Sequence, residues 1–82
     1  MQELWPPIHP GEILKLDFLD PMGISTYDLA SDIMVNQTHI CEIINGDIGI
    51  SVDTADRLSR YFGNSAQFWL NLQAHYDLRI TA

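Results

Sequence analysis

The chain has 82 residues, 46% of them hydrophobic, with two Trp and a single cysteine, Cys41. That length allows one small domain around one core, and a lone cysteine excludes an internal disulfide framework. Eleven acids against four Lys and Arg give a formal charge of −7, the reverse of a free-standing nucleic-acid module and better suited to a basic protein partner or simply to solubility.

Residues 1–9 are expected to form an extended N-terminal arm, because Pro6 and Pro7 restrict the backbone and turn their predecessors away from helix. Leu4, Trp5 and Ile8 give this arm apolar side chains that can pin it to the domain. Trp5 reads either as a cover for the core edge or as a partner contact. A domain over 10–80 follows. Its first helix begins at Pro10, with Pro in the first turn and Glu12 close behind. Ile13, Leu14, Leu16 and Phe18 supply the buried stripe, and Pro21-Met22-Gly23 breaks the chain. Ser25 caps a second helix that runs to about Ile33, with Asp28 at capping-box spacing. Asn36 caps a third helix that runs through Ile40, Ile43 and Ile44 to Asn45, and Gly46 fits the left-handed residue after a helix end. Ser51 caps a fourth, with Asp53 in its first turn and Ala55, Leu58, Tyr61 and Phe62 on its inner face. Gly63 ends it. Ser65 caps a fifth helix that is expected to reach Arg79. The repeated cap followed by a helical pattern predicts an all-α domain without strands.

Residues 25–45 have the layout of a helix-turn-helix, which lays its second helix in the DNA major groove. Ala30 is the small residue where the two helices cross, and Leu29, Ile33, Val35, Ile40 and Ile43 occupy hidden offsets. The turn, Met34-Val35-Asn36, carries Met where many such turns carry Gly, which accepts a left-handed backbone easily. The candidate DNA-binding residues are Asn36, Gln37, Thr38, His39, Cys41, Glu42 and Asn45. Gln37 can pair bidentately with adenine, and Thr38 can bond a base edge or phosphate while its methyl touches thymine. Asn36 leaves free amides at a helix N-terminus for phosphate. Asn45 and the Gly46–Gly49 loop offer further amides. The plainer reading makes Ile40, Ile43 and Ile44 ordinary core, and Gln37 and Thr38 ordinary solvated residues. One feature opposes DNA: from Leu16 to Asp56 there is no Lys or Arg, although phosphate neutralisation by cations supplies most non-specific affinity. Lys15, Arg57 and Arg60 are the nearest cations.

The fifth helix has Phe68, Leu72, Tyr76 and Ile80 in one i, i+4 stripe, with Trp69, Leu70 and Ala74 partly off it. A helix apolar on more than one side has more than one packing partner. Phe68, Trp69, Leu72, Tyr76 and Ile80 are therefore expected to form a homodimer interface, the alternative being a single thick core contact. His9, His39 and His75 form no i, i+4 pair, so neither a metal site nor a cofactor is expected. Pairing Ser25 with His39, or Cys41 with a histidine, lacks the local context of an activated nucleophile. No Gly-rich phosphate loop is present, and the chain is not expected to be an enzyme. No apolar run approaches the ~18–20 residues of a membrane span. The opening MQELWPPIHPGE lacks the regions of a signal peptide, so a cytoplasmic location is expected.

Three segments, in order, resemble the HigA-type antitoxins. His9-Pro10-Gly11-Glu12-Ile13-Leu14 resembles their HPGEIL opening. Ile50-Ser51-Val52-Asp53-Thr54-Ala55, continued by Arg57-Leu58-Ser59-Arg60-Tyr61-Phe62-Gly63, resembles their I-[TS]-x-D-T-A-x-R-L-x-[RK]-x-F-G segment. Asn64-Ser65-Ala66-Gln67-Phe68-Trp69-Leu70-Asn71-Leu72-Gln73, with Tyr76-Asp77-Leu78 beyond it, resembles T-S-x-x-F-W-L-N-L-Q. The similarity runs from Ile8 to Leu78. It implies a five-helix domain of the phage-repressor (Xre) class and a dimer. It implies a basic HigB-type toxin partner, a ribosome-dependent mRNA endonuclease of the RelE class. It also implies double-stranded operator DNA, through which the antitoxin represses its own operon. The departures fall on the DNA face. Gly46-Asp47-Ile48 stands where relatives often carry a Gly-Lys-Arg-like stretch, His39 lies nearest an Arg position, and Cys41 replaces a frequent Asn. A second expectation is thus a protein-interaction module of the same fold with weak or lost DNA binding.

Overall fold

Five helices and their connections make up residues 7–81, the part described by the computed structural model. The expectations for Leu4, Trp5 and Pro6 lie outside the described residues. Helix α1 covers residues 10–22, α2 Thr26–Ile33, α3 Gln37–Ile44, α4 Val52–Phe62 and α5 Ala66–Thr81. Among the described residues there is no strand. The caps are those the sequence predicts. Ser25 Oγ accepts from the Asp28 amide at 3.0 Å, and Asn36 Oδ1 from Thr38 at 2.9 Å. Ser51 Oγ accepts from Thr54 at 3.2 Å, and Ser65 Oγ from Phe68 at 3.1 Å. Each such cap is worth about 1 kcal/mol.

Helix α1 departs from expectation in two ways. It does not break at Pro21 but continues to Met22 and ends on left-handed Gly23. Pro21 has no N–H and would clash with the carbonyl four residues back. The helix widens to π-type turns over Leu14–Leu19, where the Asp20 amide donates to Lys15 five residues back, and the ring is accommodated. The widening also moves the buried stripe. Leu14 and Leu19 are buried, Ile13 and Phe18 are half-buried, and Leu16 stands 55% exposed. At about 100° per residue Leu16 lies on the opposite side of the helix from Leu14, so it faces solvent; the wider turn instead carries Leu19, five residues after Leu14, to the buried side.

Of the described residues of the expected arm, Pro7 and Ile8 are exposed but His9 is not. His9 is buried and belongs to the domain as the N-cap of α1, its Nδ1 accepting from the Gly11 amide at 2.9 Å. Its ring meets Tyr76 of α5 edge-on, with centroids 4.8 Å apart. Two residues on, Gly11 lets α1 approach α3 backbone to backbone: a Cβ there would collide with the carbonyl of Ile43. The core gathers around fully buried Leu14, Leu29, Ile40, Ile43, Leu58 and Trp69. Trp69 packs against Phe18 at 5.0 Å and Phe62 at 6.1 Å, and its indole N–H donates to Asn64. It is closed off inside its own chain and has no surface to offer a second copy, contrary to its place in the expected interface.

Two predictions concern this end of the fold. Gly11→Ala should lower unfolding free energy by at least about 2–3 kcal/mol, because the obstacle is backbone and cannot swing away; urea denaturation measures this. The second concerns His9, whose pKa lies below the ordinary 6.5. Burial lowers it, partly opposed by a hydrogen bond to the Ile48 backbone and by the charges of Asp77 and Glu12. The folded value being the lower one, the unfolded chain binds the extra proton between the two. His9 therefore contributes fully above about pH 6.5 and loses its contribution as pH falls through the lowered value. Wild-type stability should drop in that window, and His9→Asn, which caps without titrating, should flatten the slope.

Candidate nucleic-acid interface

Helices α2 and α3 form the helix-turn-helix. Ala30, 3% exposed, sits beneath the crossing, while Leu29, Ile33, Ile40 and Ile43 are buried and Val35 is half-buried. With those positions inward, the opposite side of α3 is free. Asn36, Gln37, Thr38 and Asn45 are exposed; His39, Cys41 and Glu42 are half-buried. Thr38, Cys41 and Asn45 share one face at i, i+3, i+7 spacing. The structure thus brings together at one helix end three exposed polar side chains, Asn36, Gln37 and Thr38. Asn36 Oδ1 is occupied in capping, which leaves its NH₂ to donate outward. Gln37 Nε2 lies 3.4 Å from the Thr26 hydroxyl at the start of α2.

His39 is placed differently from its neighbours. Its Nε2 lies 3.3 Å from Thr54 Oγ1, and Ser51 Oγ donates to the same oxygen at 3.1 Å. The imidazole ties α3 to the first turn of α4 instead of standing free in solvent. The loop after α3 is also held. Gly46 is left-handed, at φ 82°, with its Cα facing the His9 ring. The Ile50 amide donates to Gln73 Oε1 of α5 at 2.8 Å. Gly46, Asp47 and Ile48 therefore present a fixed loop beside α3, with Asp47 exposed.

The cations do not compensate for the acids. Lys15 pairs with Asp20 at 3.1 Å, Arg57 with Asp53 at 3.0 Å and Arg60 with Asp56 at 3.2 Å. Arg57 also donates to the Ile33 carbonyl at 2.8 Å. It caps the C-terminal end of α2, where a cation complements the helix dipole, and joins the helix-turn-helix to α4. Tyr61 adds a second bridge, its hydroxyl donating to Asp32 at 2.8 Å. That bond, with burial and the charges of Asp32 and Asp28, raises the Tyr61 pKa. Sequence reading missed Thr26, Arg57 and Tyr61 in these roles. Each acts across 11 to 29 residues, which no local period signals.

On α5, Phe68 packs against Phe18 and Trp69, and Tyr76 against His9, so part of the apolar stripe is used within the chain. Leu72 is half-buried, while Leu78 and Ile80 are 70% and 53% exposed. No helix among the described residues is long and apolar enough to cross a membrane.

No family model matches the chain. Virulence-associated protein I of Dichelobacter nodosus is 52% identical over 75 residues, which are 92% of this chain and 69% of that protein. Antitoxin HigA-1 of Vibrio cholerae is 39% identical over 72 residues, 88% of this chain and 68% of that one. Among solved structures, the Pseudomonas aeruginosa antitoxin HigA with the higBA promoter matches at a TM-score of 0.89 and 48% identity, over 92% of this chain and 82% of that chain.

The turn between the paired helices carries one strained residue. Met34 takes the left-handed conformation, φ 62° and ψ 46°, and is 83% exposed. An L side chain pays about 1–2 kcal/mol there, and this one has little packing to offset it. Met34→Gly should raise stability by about 0.5–1 kcal/mol, part of the relief being cancelled by glycine's larger unfolded-state entropy. Urea unfolding of the two proteins side by side measures the difference.

Proposed function

This chain belongs to the HigA family of helix-turn-helix antitoxins, and from that membership we propose that it neutralises a basic HigB-type mRNA endonuclease and represses its own operon by binding operator DNA. One observation carries the DNA half: Asn36, Gln37 and Thr38 stand exposed together at the N-terminal end of α3, where a recognition helix meets base edges. In this reading Gln37 and Thr38 contact bases and Asn36 sets the backbone register. The likeness to a relative captured with promoter DNA supports it. The acidic balance of −7 supports a basic protein partner.

The working form is a homodimer in the cytoplasm. Ile80, exposed on the outer part of α5, continues the stripe of Phe68, Leu72 and Tyr76 and suits an isologous contact. A small domain gains stability from burying such a face.

A second reading, a protein-interaction module with weak or lost DNA affinity, draws on the ion pairs that occupy Lys15, Arg57 and Arg60. Gel shifts with the chain's own promoter, beside co-expression with the neighbouring gene product, separate the two. A shift at low salt supports the repressor reading; toxin capture without any shift supports the second.

The salt dependence is diagnostic as well. With so few cations in the chain, the slope of log K against log salt should correspond to no more than about four phosphates per dimer. A steep slope like that of a basic repressor would contradict this account. Asp47→Lys should strengthen binding to any sequence and steepen the slope by about one per recognition unit.

A further inference from the structure

The bond between α2 and α3 at the reading end has a role the operator proposal does not assign. Gln37 is exposed, at the first position of α3, and a free glutamine side chain carries high rotamer entropy. To read a base it must be ordered. Its Nε2 lies 3.4 Å from Oγ1 of Thr26, the first residue of α2. Thr26 is a firm anchor: it is β-branched, half-buried, and follows directly on the Ser25 cap.

The carboxamide NH₂ has two hydrogens. An adenine pair uses the edge formed by Oε1 and the hydrogen on the same side as it, Oε1 accepting from N6 and that N–H donating to N7. The other hydrogen, on the far side, takes no part in the pair. It is this one that can go to Thr26 while the reading edge stays open.

We infer that Thr26 is a positioning residue for base recognition, its hydroxyl holding the Gln37 amide in a reading orientation before DNA arrives. Thr26 touches no base in this role; it acts through Gln37 by preorganisation, lowering the ordering cost of the contact. The inference rests on the proposal that Gln37 reads operator DNA. It also explains why the exposed Gln37 and the half-buried Thr26 sit at matching first positions of the two paired helices: the turn that sets their crossing also sets this bond.

The test uses the full chain and a duplex of its own promoter, substituted one base pair at a time, with affinities by fluorescence anisotropy. Four proteins are compared: wild type, Gln37→Ala, Thr26→Val and Thr26→Ser. Val keeps the branched shape and removes only the hydroxyl; Ser keeps the hydroxyl. Gln37→Ala should cut the preference at one base position of each half-site by about 5- to 150-fold. Thr26→Val should cut the same preference by about three- to tenfold, the scale of one hydrogen bond. Preferences elsewhere, the salt slope and the melting temperature should stay at wild-type values. Thr26→Ser should restore the preference, which a merely structural role for the side chain would not require. If Thr26→Val keeps the full preference that Gln37→Ala loses, the inference is overturned and the operator reading stands. If Gln37→Ala loses nothing at any position, the reading by Gln37 fails, and this inference with it.

Discussion

At Gly11 helix α1 meets the recognition helix backbone to backbone, lying against the Ile43 carbonyl, where there is no room for a methyl group. That contact fixes how α3 is carried. The residue two before it, His9, caps α1, packs on Tyr76 and faces Gly46. A single short segment therefore holds the start of α1, the loop after α3 and the outer part of α5. Gln73 grips the same loop through Ile50 from the other side. At its far end α3 is held by His39 against Thr54, and α2 is held by Arg57 and Tyr61 from α4. The polar side of α3 is thus presented by a frame that touches it from behind and at both ends.

The charge pattern has a structural explanation but not a neutral one. Lys15, Arg57 and Arg60 form ion pairs with acids close by in sequence, and the Arg57 guanidinium serves the α2–α4 junction as well. Exposed pairs of this kind add little stability; their consequence here is that cations otherwise available for phosphate are already partnered. DNA recognition by such a surface depends on polar side chains and helix-end amides, and in the proposed dimer on doubled contacts, and less on counterion release. In the proposed function, an acidic face serves a basic toxin while Asn36, Gln37 and Thr38 read the operator.

What was legible in the sequence was mostly local. Ser25, Asn36, Ser51 and Ser65 announced four helix starts, and Gly46 and Gly63 two ends, because caps and left-handed residues act within three or four positions. The helix-turn-helix core followed from the helical period. The failures share a cause. Leu16 was counted into the α1 stripe for its apolar side chain, but two residues from Leu14 it falls on the opposite side of the helix, while the π-type turns brought Leu19 inward. His9 looked like part of an arm because two prolines precede it, and its capping role depends on what the fold brings around it. Trp69 read as a member of a surface stripe, but depth is a property of the whole packing, and Phe18 and Phe62 from other helices close over it. His39 read as outward because the position of Thr54 is set by the fold, not by α3. Thr26 was passed over because its partner lies on the next helix.

The central claim is that the chain reads DNA with the N-terminal end of α3 despite its acidic surface. An NMR titration of isotope-labelled protein with a promoter duplex at low salt tests it directly. The account predicts the largest shifts at the Asn36, Gln37 and Thr38 amides and at the Gln37 side-chain NH₂, with smaller ones in the loop from Gly46 to Gly49. Shifts confined to α5, or no shifts at all at low salt, would contradict it.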